Sequence, residues 1–233
     1  SDLSRSFYQD ACHGHAIVYA DEISNRKFRP YITYPQGNFA SPVFHGERPN
    51  PMPHYEMTGN PVSIAFSEQS PPVKMRSFKL YQDTKEIRDV KILDKDNDPN
   101  RLLTERQFAL FPLQPLEYDT DYRAVFAYRQ NGKDKTAEWT FSTQKPDYPY
   151  FIVKGGETLA IESGQKYFIH WQDFWCLKQC ERYNYRMNRD TQLDIIERQA
   201  GGIIIRVNGS KGSSIRLMPE GEDRRAITLY LWK

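Results

Sequence analysis

His13 and His15 stand one residue apart beside Cys12, in the run Cys12-His13-Gly14-His15. On a strand both imidazoles would point to the same side, because side chains alternate with a period of two. Such a pair suits Zn²⁺ or Cu²⁺ once a third ligand joins it, from Cys176, Cys180 or His170. The spacing follows no standard metal motif, so an incidental terminal segment is the competing reading. Asp94, Asp96 and Asp98, with Glu105 further on, imitate a Ca²⁺ loop in which alternating carboxylates converge on one hard cation. The sixth position of such a loop is a glycine at positive φ; here it is Pro99, locked at about −65°. A looser Ca²⁺ site then competes with a solvated polar turn. His45, Glu47, His54 and Glu56 form two H-x-E pairs that could assemble a metal or acid/base site, or simply ride a loop on a sheet edge.

The densest aromatic run holds Trp171, Phe174, Trp175, Tyr183 and Tyr185, joined by Asp173, Arg182, Arg186 and Arg189. Exposed Trp and Tyr rings stack on apolar faces and dominate binding surfaces. Trp171, beside Tyr167 and Ile169, reads as core. Trp175, Tyr183, Tyr185, Asp173 and Arg186 make the candidate ligand-binding set. Asp173 and Glu181 are the carboxylates that a polysaccharide-acting site would need, roughly 5–5.5 Å apart for retention or 6.5–9.5 Å for inversion. No nucleophile–base order stands out; His170 near Cys176 is a weak pair. Gly155-Gly156 and Gly201-Gly202 read as turns between strands, not as phosphate cradles. The chain has three cysteines, which cannot all pair internally. Cys176 and Cys180 are the disulfide candidate if the protein is exported, and free buried thiols otherwise.

The elements that must hold these groups are strands. From Gln107 to Thr143 the chain reads as three antiparallel strands. Phe108, Leu110 and Pro112 alternate with Ala109 and Phe111, so both faces are apolar and a central strand is expected. Tyr122, Ala124, Phe126 and Tyr128 share one face of the next. Asn131-Gly132 signals a tight hairpin. Tyr122 stands where a tyrosine corner would bond back to preceding backbone. Upstream come YITYP, a proline-rich loop from Gly37 to Pro61, then VSIAF, MRSFKLY and KEIRDVKIL. About seven strands in roughly 110 residues match an Ig-like β-sandwich. KPDYP (Lys145–Pro149) marks a domain boundary. Beyond it YFIVK, TLAIE, QKYFIHWQ, TQLDIIE, GIIIRVN, SIRLM and AITLYLW suggest a second small β-sandwich or barrel, interrupted by DFWCLKQCERYNYRMN as a helical turn or structured loop. The expected fold is all-β: residues 1–30 an extension linked to an upstream domain, 31–145 the Ig-like sandwich, 148–233 a small C-terminal β domain.

Composition narrows the function. With 32 basic and 30 acidic residues, the net charge of +2 argues against nucleic acid. No apolar run approaches the roughly 20 residues of a transmembrane helix. The chain opens SDLSRSFYQD without an initiator Met, as a trimmed or mature product would.

TYPQGNFASPVFHGERPNPMP followed by GNPVSIAF resembles the segment after the CAP core in bacterial members of the CAP superfamily, the group named for cysteine-rich secretory proteins. FALFPLQPLEYDTDYRAVF and AEWTFST are similar to bacterial immunoglobulin-like domains, which often end in a W-x-F-x-T strand. The resemblance covers Tyr31 to Thr143. It implies a secreted or periplasmic protein in which this chain is the accessory C-terminal part. The histidine and glutamate cleft of the CAP core has no counterpart here, so no family site residue carries over. The leading expectation is a non-catalytic exported binding module without a cofactor, partnered by the upstream domain of its own polypeptide and by a protein or carbohydrate ligand at a cell surface. The alternatives are a polysaccharide-acting enzyme or enzyme accessory, and a binder dependent on Ca²⁺ or Zn²⁺.

Overall fold

The computed structural model describes residues 30–175, 182–187 and 190–233. Cys12, His13, His15, Cys176, Cys180, Glu181 and Arg189 lie outside the described residues, and with them the histidine pair and the disulfide candidate. The chain divides into two compact units, the first ending at Lys145 and the second beginning at Pro146.

Strands are numbered in chain order. In the first unit, β1 (Tyr31–Tyr34), β5 (Val62–Phe66), β9 (Gln107–Pro112) and β8 (Val90–Leu93) form one sheet in the order β1-β5-β9-β8. The facing sheet is β2-β11-β10-β6-β7, from β2 (Gly37–Ala40), β11 (Lys133–Thr143), β10 (Asp121–Gln130), β6 (Lys74–Gln82) and β7 (Lys85–Ile87). β2 runs parallel to β11, and every other pair in these sheets is antiparallel. This is the two-sheet arrangement of an Ig-like sandwich. Phe126 of β10, fully buried, anchors the core: the rings of Phe78, Phe108, Tyr128 and Phe66 lie 5.2, 5.0, 5.6 and 6.0 Å from its centroid. Asn131 (φ 51°) and Gly132 (φ 74°) turn the β10–β11 hairpin, as both central residues of a type I′ turn require. The tyrosine corner is present: the Glu117 N–H donates to Tyr122 Oη at 2.9 Å, and the Tyr122 ring stacks on Phe141 at 5.5 Å.

β9 is interior to its sheet and apolar on both sides for two separate reasons. Phe108 and Leu110 face the sandwich core. Ala109 and Phe111 face a satellite cluster with Phe44, Met52, Leu93 and Leu103. Phe44 meets Phe111 edge-on at 5.3 Å. The proline-rich stretch is therefore more than a loop. It contains β2 and a short hairpin of β3 (Val43–Phe44) and β4 (Thr58–Gly59), and it covers the second face of β9. KEIRDVKIL also departs from the single strand expected of it. It divides at Arg88-Asp89, and β7 and β8 belong to opposite sheets. Ile87, partly buried, pairs with Leu80 of β6, whereas buried Leu93 pairs with Ala109 of β9, so both ends are covered only if the chain crosses between layers.

The second unit pairs β12 (Tyr150–Val153), β14 (Lys166–Trp171), β17 (Gly202–Gly209) and β16 (Thr191–Gln199) in one sheet. The other is β13 (Thr158–Ile161), β19 (Ile227–Leu231), β18 (Ser214–Pro219) and β15 (Tyr183–Met187). It is a sandwich, with β13 parallel to β19 as β2 is to β11. It differs at its start, where β12 runs parallel to β14 while β1 runs antiparallel to β5. The chain therefore reverses between β12 and β13 at Gly155, φ 131°, where a Cβ would lie 2.1 Å from the Arg224 carbonyl oxygen. Gly201-Gly202 is not simply a turn. Gly202 opens β17 opposite His170, and a Cβ there would meet the Ile169 carbonyl oxygen at 2.0 Å. The run DFWCLKQCERYNYRMN ends in β15, the strand that completes its sheet.

Phe126→Ala should cost about 3–5 kcal/mol of first-unit stability, by the usual penalty for an emptied aromatic site. Tyr122→Phe, which removes one hydrogen bond, should cost about 1 kcal/mol. Denaturant unfolding followed by tryptophan fluorescence measures both. Equal losses would contradict a core centred on Phe126.

Candidate functional site

The aromatic run around Trp171 resolves into two layers, because β14 alternates. Trp171 points inward and is fully buried; its Nε1–H donates to the Arg225 carbonyl oxygen at 2.8 Å, and Tyr183 lies 5.6 Å from its ring. The Arg225 guanidinium braces the following turn. It sits 5.0 Å from the Phe174 ring, donates to the Gln172 carbonyl oxygen at 2.8 Å and pairs with Glu222 at 3.4 Å. His170 points the other way and is also fully buried, with Nδ1 2.9 Å from the Gly201 carbonyl oxygen. Trp175, half-buried, packs on that imidazole at 4.8 Å. Trp175 thus helps cover the outward side of β14. Asp173 is exposed on the turn after β14, at φ 55°.

Tyr183 and Tyr185 belong to the last strand of their sheet, β15, which pairs on one side with β18. Tyr185 stands opposite buried Leu217, so its side chain has the inward parity of the core. It is nevertheless 46% exposed. β16 is likewise the last strand of the facing sheet. Between β15 and β16 the sandwich opens into a groove of about 450 Å³ whose floor includes Tyr183, Leu193 and Ile195, with Arg182, Arg198 and Glu220 also lining it beside Tyr185. Of the sequence candidates, Tyr183 and Tyr185 meet here. Arg186 points to the opposite face of β15, and Trp175 and Asp173 do not line the groove. Leu193, Ile195, Arg198 and Glu220 come from distant segments, and no local pattern joins them to β15.

The groove offers a ring for stacking, guanidiniums for oxyanions or carbonyls, and one carboxylate among its described lining residues. Burial pushes the Tyr183 phenol up to about 12, against a smaller lowering by Arg198. Tyr183 is therefore a neutral phenol near neutral pH, a hydrogen-bonding group and not a base.

The Asp94 loop is built by its own carboxylates. Asp94 accepts from the N–H groups of Asp96 and Asn97, at 3.0 and 3.3 Å. Buried Asp98 accepts from the N–H groups of Asn100, Leu102 and Leu103, at 3.0, 2.7 and 3.0 Å. These amides hold the Asp94 and Asp98 carboxylates, two of those that a Ca²⁺ loop would use. Among the described residues no three His, Cys, Asp or Glu side chains converge, His45, Glu47, His54 and Glu56 included.

No family model matches the chain. No curated protein matches it either. Among solved structures it is similar to the I-band fragment I67-I69 from titin, at 10% identity and a TM-score of 0.25, covering 88% of this chain and 66% of that one. It is also similar to domains 4 and 5 of the S-layer protein SbsC, at 12% identity and a TM-score of 0.24, covering 88% and 97%. A Parabacteroides merdae β-glucuronidase aligns at 10% identity and a TM-score of 0.27, over 89% of this chain but 25% of the enzyme. Likeness at this level carries no function across, and the fold stands on the strand order and register described above. Among the described residues no helix is long and apolar enough to cross a membrane.

Tyr183 gives the second unit a defined alkaline limit. Its phenol ionises at about 10 in the unfolded chain and at about 12 when folded. The phenol's contribution to stability is full below pH 10 and is lost as pH rises from about 10 to about 12, because only the unfolded chain releases the proton in that window. Tyr183→Phe should flatten this decline in urea titrations across that range. An unchanged slope would show that the phenol is not buried.

Proposed function

We propose that this chain is a non-catalytic binding module, exported and carried as the accessory part of a polypeptide with an upstream CAP-like domain. It holds a cell-surface protein or glycan ligand in the groove between β15 and β16. The observation that carries this reading is Tyr185, an aromatic ring of inward parity left 46% exposed at the groove. Covering such a ring removes apolar area from water at roughly 25 cal/mol per Å². Aromatic residues ringed by polar groups are the usual energetic centres of binding surfaces. The neighbouring Arg182, Arg198 and Glu220 supply directional bonds that would choose among ligands.

Glycan-array screening and capture from bacterial envelope extracts, with the whole chain, test the proposal. Tyr185→Ala should weaken the captured interaction by at least about tenfold, the loss expected of a binding hot spot. Its unfolding free energy should stay within about 0.5 kcal/mol of the parent, as for other exposed positions. Retention of full binding by Tyr185→Ala would overturn the groove assignment.

A further inference from the structure

The outward face of the β15–β18–β19 sheet carries a second constellation, separate from the groove. Tyr185 and Arg186 are adjacent in β15 and therefore project to opposite faces. Arg186 stands directly opposite Arg216 of β18. Both are exposed, and no carboxylate among the described residues pairs with either. Directly opposed residues have Cβ atoms about 4.5–5.5 Å apart, and like charges so placed repel. The fold therefore maintains a repulsion on an open surface that an added oxyanion would relieve. Each guanidinium presents a planar fork of donors suited to a carboxylate or sulfate.

Beside this pair stands a line of exposed rings. Tyr230, in β19, is 40% exposed; Trp232, one residue past the end of that strand, is 42% exposed, with the Lys233 ammonium 4.9 Å from its ring centroid. They are two residues apart, roughly 6.6–6.8 Å along an extended chain. Arg216 pairs with Thr228, and Ser214 with Tyr230, so Tyr230 is the diagonal neighbour of Arg216. Diagonal neighbours lie about 7–8 Å apart, within reach of long side chains. Thr228 adds a neutral hydrogen-bonding group on the same face.

We propose that this face binds a polysaccharide bearing carboxylate or sulfate groups. The Arg186–Arg216 pair grips an oxyanion while Tyr230 and Trp232 stack on neighbouring sugar rings. A nucleic acid fits less well, because tracking a phosphate backbone takes a broad basic field, and the whole chain carries a net charge of only +2.

Affinity electrophoresis of the full chain tests this in gels containing polygalacturonate, dextran sulfate, neutral dextran or single-stranded DNA. Retardation by polygalacturonate, dextran sulfate or both is expected, and names the oxyanion; neutral dextran should not retard. Arg186→Gln with Arg216→Gln should weaken binding at least tenfold, and Trp232→Ala at least threefold. Lys166→Gln, which removes one positive charge from the opposite sheet, should leave it unchanged. Tyr185→Ala should also leave it unchanged, which separates this surface from the groove. The double arginine variant should melt no lower than the parent, since it removes a repulsion. Four results would overturn the proposal: no retardation by either acidic polymer, an equal effect of Lys166→Gln, tighter binding of DNA than of the acidic polysaccharides, or a lower melting point for the double variant.

Discussion

Strand register is the constraint on which the rest of this molecule depends. A strand sends successive side chains to opposite faces, so a single set of pairings decides what each layer buries and what it shows. In β10 that rule puts Tyr122, Ala124, Phe126 and Tyr128 into the core and leaves Arg123 outside, where its guanidinium rests 4.6 Å from the Tyr81 ring. In β14 it separates Trp171 from His170, burying one inside the sandwich and the other beneath Trp175. In β15 it separates Tyr185 from Arg186. A shift of one residue would exchange every one of these faces.

Much of this was legible beforehand. The alternation in Gln107–Thr143, the Asn131-Gly132 turn and the tyrosine corner each depend on neighbours close in sequence, and each appears as the residues imply. Other features depend on contacts that no local pattern encodes. The double apolar face of β9 announced burial on both sides, but not that Phe44 and Met52 would supply the second cover. β15 was missed because only its first residue, Tyr183, is buried, so it carries no apolar alternation. β2 was hidden because it pairs parallel to β11 from within a proline-rich run, with a register shift. The Asp94 loop spaced its carboxylates like cation ligands, yet backbone amides reach Asp98 first. Aromatic density pointed to Tyr183 and Tyr185, but it could not show that Trp175 would pack over His170 or that β16 would form the groove's other wall.

The second unit leaves its sandwich open at one edge. β15 and β16 each end a sheet, and a sheet's last strand lacks a neighbour to cover its inward residues. Tyr185 remains in contact with water for that reason, and the groove is the consequence. The same strand presents arginine on its other side. One short element thus serves two surfaces of different chemistry: an aromatic-lined groove within the sandwich edge, and a flat basic and aromatic face outside it.

The most direct test of this account is the register of β15 against β18 in solution. Nuclear Overhauser contacts between the strands should link Tyr185 with Leu217 and Arg186 with Arg216. Contacts linking Arg186 with Leu217 would exchange the two faces and contradict it.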